Sequence, residues 1–229
     1  MNALDGKTKM LKAFVIALML ALGISAPLPQ PQPTPAVVTK TAIEQQHETT
    51  HRLGVYDLLK GDKWNQEIGH CSATVVGPHA ILTAQHCFFD SNLIRLDAEK
   101  EPTVILAALV DGNDHVIYIV DRTFSRWASI NERTLVVGEP VHIWGAPGKN
   151  VDVYRSGYFA GYSHEKDFDP TLTVQFENFI LPIYGGDSGS GLFDENGNVV
   201  AVTSMGDQSA DALDLPLIFT PSQLEIATR

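Results

Sequence analysis

The chain has 229 residues, 44% of them hydrophobic, enough for a sizeable core in one all-β domain or two smaller ones. Sixteen basic residues stand against 27 acidic ones, giving a formal net charge of −11, and no Lys/Arg run breaks the acidic background. That balance excludes nucleic acid and anionic membrane surfaces as expected partners.

Lys7, Lys9 and Lys12 precede an apolar run from Ala13 to Leu22, which Gly23-Ile24-Ser25-Ala26 closes with mostly small residues. This is the pattern of a secretory signal peptide over residues 1–26. The run falls short of the roughly 20 apolar residues that span a bilayer comfortably, so a retained N-terminal anchor is the second reading. Either way the expected location is secreted or periplasmic. Pro27, Pro29, Pro31, Pro33 and Pro35 then alternate with Leu, Gln and Thr. Such a segment favours extended conformations and is read as a tether over residues 27–45. The folded domain is expected over residues 46–229.

His47-Glu48-Thr49-Thr50-His51 matches H-E-x-x-H, and Gly54 and Asp57 extend it to H-E-x-x-H-x-x-G-x-x-D. On a helix that spacing sets two imidazoles on one face for zinc, with the glutamate as general base. A zinc metalloprotease is therefore one alternative. Thr49 and Thr50 are mediocre helix formers, and a solvated helix or strand ahead of the domain is the expected structure. His70, Cys71, His86 and Cys87 are a weaker metal set, because adjacent residues on a strand face opposite ways. No metal and no cofactor is expected.

From about Val55 onward, short apolar runs alternate with turn residues, the pattern of an all-β chain. Ser72 to Val76 and His79 to Thr83 flank Gly77-Pro78. Thr103 to Val110 and His115 to Val120 flank Asp111-Gly112-Asn113-Asp114. Pro140 to Trp144, Val151 to Tyr162 and Thr171 to Phe176 continue the series, and Leu192-Phe193 and Val199 to Val202 flank a turn with Asn196-Gly197. The series predicts a pair of packed β-barrels. Thr220-Pro221-Ser222-Gln223 supplies an N-cap, a proline for the first helical position and a capping-box Gln, which predicts one short C-terminal helix.

Two stretches carry chemistry. Gly185-Gly186-Asp187-Ser188-Gly189-Ser190-Gly191 surrounds a serine with glycines. Glycines let the chain turn tightly and let a carbonyl carbon approach backbone amides without meeting a Cβ. Such amides hold the negative oxygen of a tetrahedral intermediate. About a hundred residues earlier, Leu82-Thr83-Ala84-Gln85-His86-Cys87 follows an apolar strand and ends on a histidine and a cysteine. Cys71 and Cys87 are the two cysteines, and in an exported chain such a pair is expected to form a disulfide. Closing that 16-residue loop is worth about 3 kcal/mol in the chain-entropy model, and it would clamp the turn bearing His86.

Together these stretches resemble the trypsin/chymotrypsin-like serine proteases, whose histidine sits in T-A-x-H-C and whose serine sits in G-D-S-G. The likeness is nearest to compact bacterial HtrA-like or V8-like members without a PDZ domain, and covers about residues 53–229. It implies a double β-barrel of the chymotrypsin type, a serine endopeptidase acting on protein or peptide substrates, and a triad of Ser188, His86 and a carboxylate. Asp114 resembles the aspartate that opens the D-[I/L]-A-[L/V]-[L/V] strand, although His115 replaces the usual aliphatic residue. Asp111 and Asp121 remain the alternatives. By the same carry-over the amides of Gly186 and Ser188 form the oxyanion hole. Thr203-Ser204-Met205-Gly206 resembles the S-W-G strand that pairs with substrate backbone, with Met205 in place of Trp. Phe219 to Ser222 is similar to the segment before the C-terminal helix of HtrA/Deg proteases.

Specificity follows from a departure. Pro182 occupies the position, six residues before the serine, where trypsin-like members place a carboxylate that reads Lys or Arg. A basic P1 residue is therefore not expected, and small or apolar ones are favoured by elimination. Arg52-Leu53-Gly54-Val55 echoes the R-I-V-G-G activation site only faintly, which leaves Asp187 without an assigned N-terminus to bind. A protease-like binding module without activity is a further alternative, opposed by the intact His86, Ser188 and glycines.

Overall fold

The computed structural model describes residues 42–59, 63–87, 93–97, 102–149, 153–164, 175–206 and 212–229. The signal peptide over 1–26 lies outside the described residues, as does all of the tether but its end. A short helix α1 (Ala42–His47) begins before residue 45, where the tether was expected to stop. At six residues it is too short to show helical periodicity in the sequence.

The first half closes into a six-stranded barrel in the order β1 (Thr50–Leu59), β2 (Lys63–Gly77), β3 (Ala80–Ala84), β6 (His115–Val120), β5 (Thr103–Val110) and β4 (Leu93–Leu96). The second half forms a seven-stranded sheet, ordered β11 (Val199–Val202), β10 (Gly191–Phe193), β7 (Pro140–Gly145), β8 (Val153–His164), β9 (Gln175–Ile180), β13 (Ala212–Asp214) and β12 (Met205–Gly206). The Gly77-Pro78, Asp111 to Asp114 and Asn196-Gly197 turns join the hairpins read from the sequence. One boundary differs. Of the strand expected over Thr171 to Phe176, residues 171–174 lie outside the described residues; from Gln175 it runs on to Ile180, because the polar Glu177 and Asn178, which interrupt the apolar run, continue the strand.

Why the apolar runs are continuous rather than alternating is plain from where their residues go. Along a strand successive side chains take opposite faces, and in β3, β6, β10 and β11 both faces are buried or nearly so. Ile81, Val116, Tyr118 and Val120 pack with Leu53, Ala73 and Val75 inside the first barrel. Their neighbours Ala80, Leu82 and Ile117 turn the other way and meet Phe193, Val199, Val202, Phe219 and Ala227 between the two halves. Val141, Ile143, Phe159, Phe179 and Leu192 fill the second core. The C-terminal helix α2 (Pro221–Ala227) closes the layer between the halves. Thr220 caps it, and Gln223 returns the capping-box bond to the Thr220 N–H at 2.8 Å.

Cys71 on β2 and Cys87 after β3 form the expected disulfide, with Cα atoms 6.3 Å apart. Replacing both by alanine should lower stability by about 3 kcal/mol in urea unfolding, the entropy of closing that loop in the unfolded chain. An unchanged midpoint would show that the hydrogen bonds around His86 hold the turn unaided.

Candidate active site

His86 occupies a 3-10 turn (Gln85–Cys87) that leaves β3 and faces the turn between β5 and β6. Three bonds join the two. Gln85 N–H donates to the Asp114 carbonyl at 2.8 Å. His86 N–H donates to Asp114 Oδ1 at 2.9 Å, and His86 Nδ1 lies 2.6 Å from Asp114 Oδ2. A carboxylate only accepts, so Nδ1 carries the proton and Nε2 is left as the basic nitrogen. Burial works against the Asp114 charge, but the hydrogen bond and charge of His86, its backbone N–H and the charge of His115 outweigh it. The carboxyl is held below its ordinary range.

The two rival carboxylates do other things. Asp111 pairs with His115 Nδ1 at 2.7 Å, and Asp121 accepts the Val104 N–H at 2.8 Å. Neither is bonded to His86.

Ser188 is half-buried on the loop between β9 and β10, sewn to the first barrel through its backbone. Its carbonyl accepts Ser72 N–H at 2.7 Å and lies 3.9 Å from Cys87 Sγ, one residue from His86. Gly191 N–H reaches Thr74 Oγ1 at 3.0 Å, and the Gly186 carbonyl accepts the Ser72 hydroxyl at 2.8 Å. Two glycines here are obligatory. Gly186 has φ +105°, and a Cβ would fall 2.4 Å from the Ala146 carbonyl oxygen. Gly189 has φ +86°, and a Cβ would fall 2.0 Å from Thr83 Oγ1. Positive φ is rarely adopted by residues that carry a Cβ, and at these two positions the clash removes the option.

Asp187, fully buried, has an internal counter-ion that the sequence did not reveal. Arg155 on β8 grips it with two bonds, Nη1 to Oδ2 at 2.5 Å and Nη2 to Oδ1 at 2.6 Å. Tyr184 N–H adds a third bond at 2.7 Å, and Arg155 also donates to the Pro182 carbonyl at 3.0 Å. The carboxylate is thus satisfied without a chain terminus. Arg155→Ala leaves it buried and uncompensated, which should cost about 3–5 kcal/mol in unfolding free energy. A loss within about 0.5 kcal/mol would contradict that reading.

Ser204 is buried, and its hydroxyl donates to Asp214 at 2.9 Å. Met205 and Gly206 form β12, paired with Leu213 and Ala212 at the end of the sheet order. Pro182 is exposed beside the serine loop.

The H-E-x-x-H stretch does not form one helical face. α1 ends at His47 and β1 begins at Thr50. His51 Nδ1 binds Asp97 Oδ2 at 2.8 Å, while His47 packs on Trp144 with ring centroids 4.3 Å apart. Among the described residues, Cys71, His86 and Cys87 lie close enough to share an ion. Both sulfurs are committed to the disulfide and offer no thiolate.

A closed barrel and a second curved sheet, with a histidine–carboxylate pair beside a glycine-bounded serine, define the class of chymotrypsin-like serine peptidases. The model of the trypsin-like peptidase domain matches residues 71–202, and the chain belongs to that family. It is a serine-type peptidase. Among solved structures, the Rv3671c protease of M. tuberculosis in its active form superposes with a TM-score of 0.64 at 19% identity, covering 88% of this chain and 90% of that one. The inactive form gives 0.64 at 17%, covering 88% and 100%. A serine endoprotease from Yersinia pestis gives 0.57 at 17%, covering 76% and 61%. At such identities the likeness is one of fold. No curated protein matches by sequence.

Proposed function

We propose that the protein is an exported endopeptidase that cleaves peptide bonds through Ser188, His86 and Asp114 by way of an acyl-enzyme. The observation that carries this reading is the His86–Asp114 pair at 2.6 Å, set beside the disulfide whose sulfur touches the Ser188 carbonyl. In the first half-reaction Ser188 Oγ bonds to the substrate carbonyl carbon while His86 Nε2 takes the hydroxyl proton. Asp114 holds the tautomer and balances the imidazolium. The carbonyl oxygen becomes an anion between the amides of Gly186 and Ser188, and losing one such donor typically costs about 3 kcal/mol of transition-state stabilisation. His86 returns the proton to the leaving amine as the C–N bond breaks. Water then adds to the ester by the same steps and releases Ser188.

The edge position of β12 suits an extended substrate, since an unpaired strand edge accepts a peptide backbone as one more strand. Pro182 in place of an acidic residue supports small or apolar P1 residues over Lys or Arg. The Arg155–Asp187 pair supports a serine loop whose shape does not wait for N-terminal cleavage. The disulfide and the signal-like residues 1–26 support export to an oxidising compartment.

Casein hydrolysis tests the reading. Cleavage should persist in EDTA and stop with a fluorophosphonate. Loss of activity on chelation, or no cleavage at all by folded protein, would overturn it.

A further inference from the structure

His115 opens β6, and its ring is completely buried between two carboxylates. Nδ1 lies 2.7 Å from Asp111 Oδ2, and Nε2 lies 2.8 Å from Asp214 Oδ1. All three side chains have no exposed surface. Burial raises the Asp214 carboxyl, while the charge and hydrogen bond of His115, the Val202 N–H and the Ser204 hydroxyl hold it down; with both acids ionised, each ring nitrogen donates and the ring is an imidazolium. Asp111 and His115 flank the first-barrel turn that bears Asp114. Asp214 ends β13 in the second sheet.

Other bonds converge on the same seam. Asp214 accepts Val202 N–H at 2.5 Å, the Ser204 hydroxyl at 2.9 Å and Leu215 N–H at 2.8 Å. From the other side Asn113 Nδ2 donates to the Pro216 carbonyl at 2.7 Å, and Ile218 N–H reaches Asp111 Oδ2 at 3.3 Å. His115 also pairs in register with Ala84, two residues before His86. The clamp therefore sits directly behind the His86–Asp114 pair.

We propose that His115 is a positioning residue: bridging Asp111 and Asp214 as a cation, it locks the Asp114 turn to the second sheet and keeps the Asp114 carboxylate ionised and aimed at His86. This rests on the reading of Ser188, His86 and Asp114 given above. Burial opposes the His115 charge, but the charge of Asp214, the hydrogen bonds of Asp111 and Asp214 and the charge of Asp111 raise it to about 10. The groups facing the clamp are Asp114, Glu132 and Glu177. Glu177, opposite Asp214 in the β9–β13 ladder, is pushed up to about 7, first by burial and then by the Asp214 charge. Glu132 is raised by burial and by Asp111, against a backbone hydrogen bond from Phe219. In the folded state His115 and Glu177 hold protons that the unfolded chain has released. Stability therefore falls as pH rises, from 4.5 to about 7 through Glu177 and from 6.5 to about 10 through His115.

The test compares the wild type with His115→Gln, and with the variant Asp111→Asn/His115→Leu/Asp214→Asn, which removes the buried charges together and so spares the fold. In wild type, nitrogen NMR of labelled histidine should show both His115 nitrogens protonated at pH 7. In His115→Gln, which removes the cation and leaves both carboxylates, the carboxyl carbon of Asp114 should titrate at higher pH. On a peptide substrate, kcat per fluorophosphonate-titrated Ser188 should fall between about tenfold and a hundredfold while KM stays within about twofold. A neutral His115 at pH 7, or an unmoved Asp114 titration in His115→Gln, would overturn the proposal. So would wild-type kcat per titrated site in the charge-free variant, which is the result expected of a purely structural clamp. The NMR readings do not need activity, so a wild type that fails to label at Ser188 sinks the peptidase mechanism while they still decide what His115 does.

Discussion

Ser188→Ala should reduce kcat on a peptide substrate by about 10⁶-fold. In the proposed mechanism the hydroxyl is the nucleophile, and without it His86 has no proton to take. What remains is water attack aided by the two amides and by substrate binding, worth about 10³–10⁴ over the uncatalysed rate. KM should change little, because the bonds that fix the loop belong to the backbone of Ser188, not to its hydroxyl. For the same reason the melting temperature should hold. A kcat within about tenfold of wild type would place the nucleophile elsewhere.

Asp114→Asn should lower kcat by about 10⁴-fold with the fold intact. The carboxylate accepts from both the His86 N–H and Nδ1, at 2.9 and 2.6 Å. An amide has a single oxygen. Either its NH₂ faces the ring and turns the tautomer over, which protonates the nitrogen that should receive the serine proton, or it abandons the backbone N–H. Asp121→Asn is the control, since that side chain only accepts the Val104 N–H. The pH dependence has a definite sign. The Asp114 carboxyl sits below its ordinary 3.8, so its contribution is present above that value and lost as pH falls through the lower folded one. An Asp114→Asn enzyme should lose this acid limb along with its rate. Equal effects of the two substitutions on kcat would remove Asp114 from its assigned role.

Strands β3, β6, β10 and β11 were readable because both of their faces are buried. Ile81 and Leu82 serve different cores, as do Val116 and Ile117, so the runs stay apolar residue after residue. Gly77-Pro78 and Asn196-Gly197 then mark where the chain reverses. The C-terminal helix was readable from chemistry, since Thr220, Pro221 and Gln223 each have a capping role that the fold uses. Within the site, the glycines around Ser188 and the cysteine after His86 carry local meaning. What the sequence could not resolve depends on side-chain direction across long separations. Asp111 and Asp114 lie three residues apart on one turn, yet one faces His115 and the other His86. Arg155 meets Asp187 only because β8 presents it to the serine loop, and Asp214 meets His115 only where the two halves join. No periodicity encodes those encounters. The H-E-x-x-H match shows the converse, a pattern without the helix that would give it chemistry.

The most direct measurement is the site and rate of fluorophosphonate labelling, followed by peptide mass mapping in wild type and His86→Ala. A single label on the peptide carrying Ser188, formed by native protein and lost in the His86 variant and on denaturation, is the expected result. A label on another residue, or labelling of Ser188 that proceeds at the same rate without the imidazole of residue 86, would contradict it.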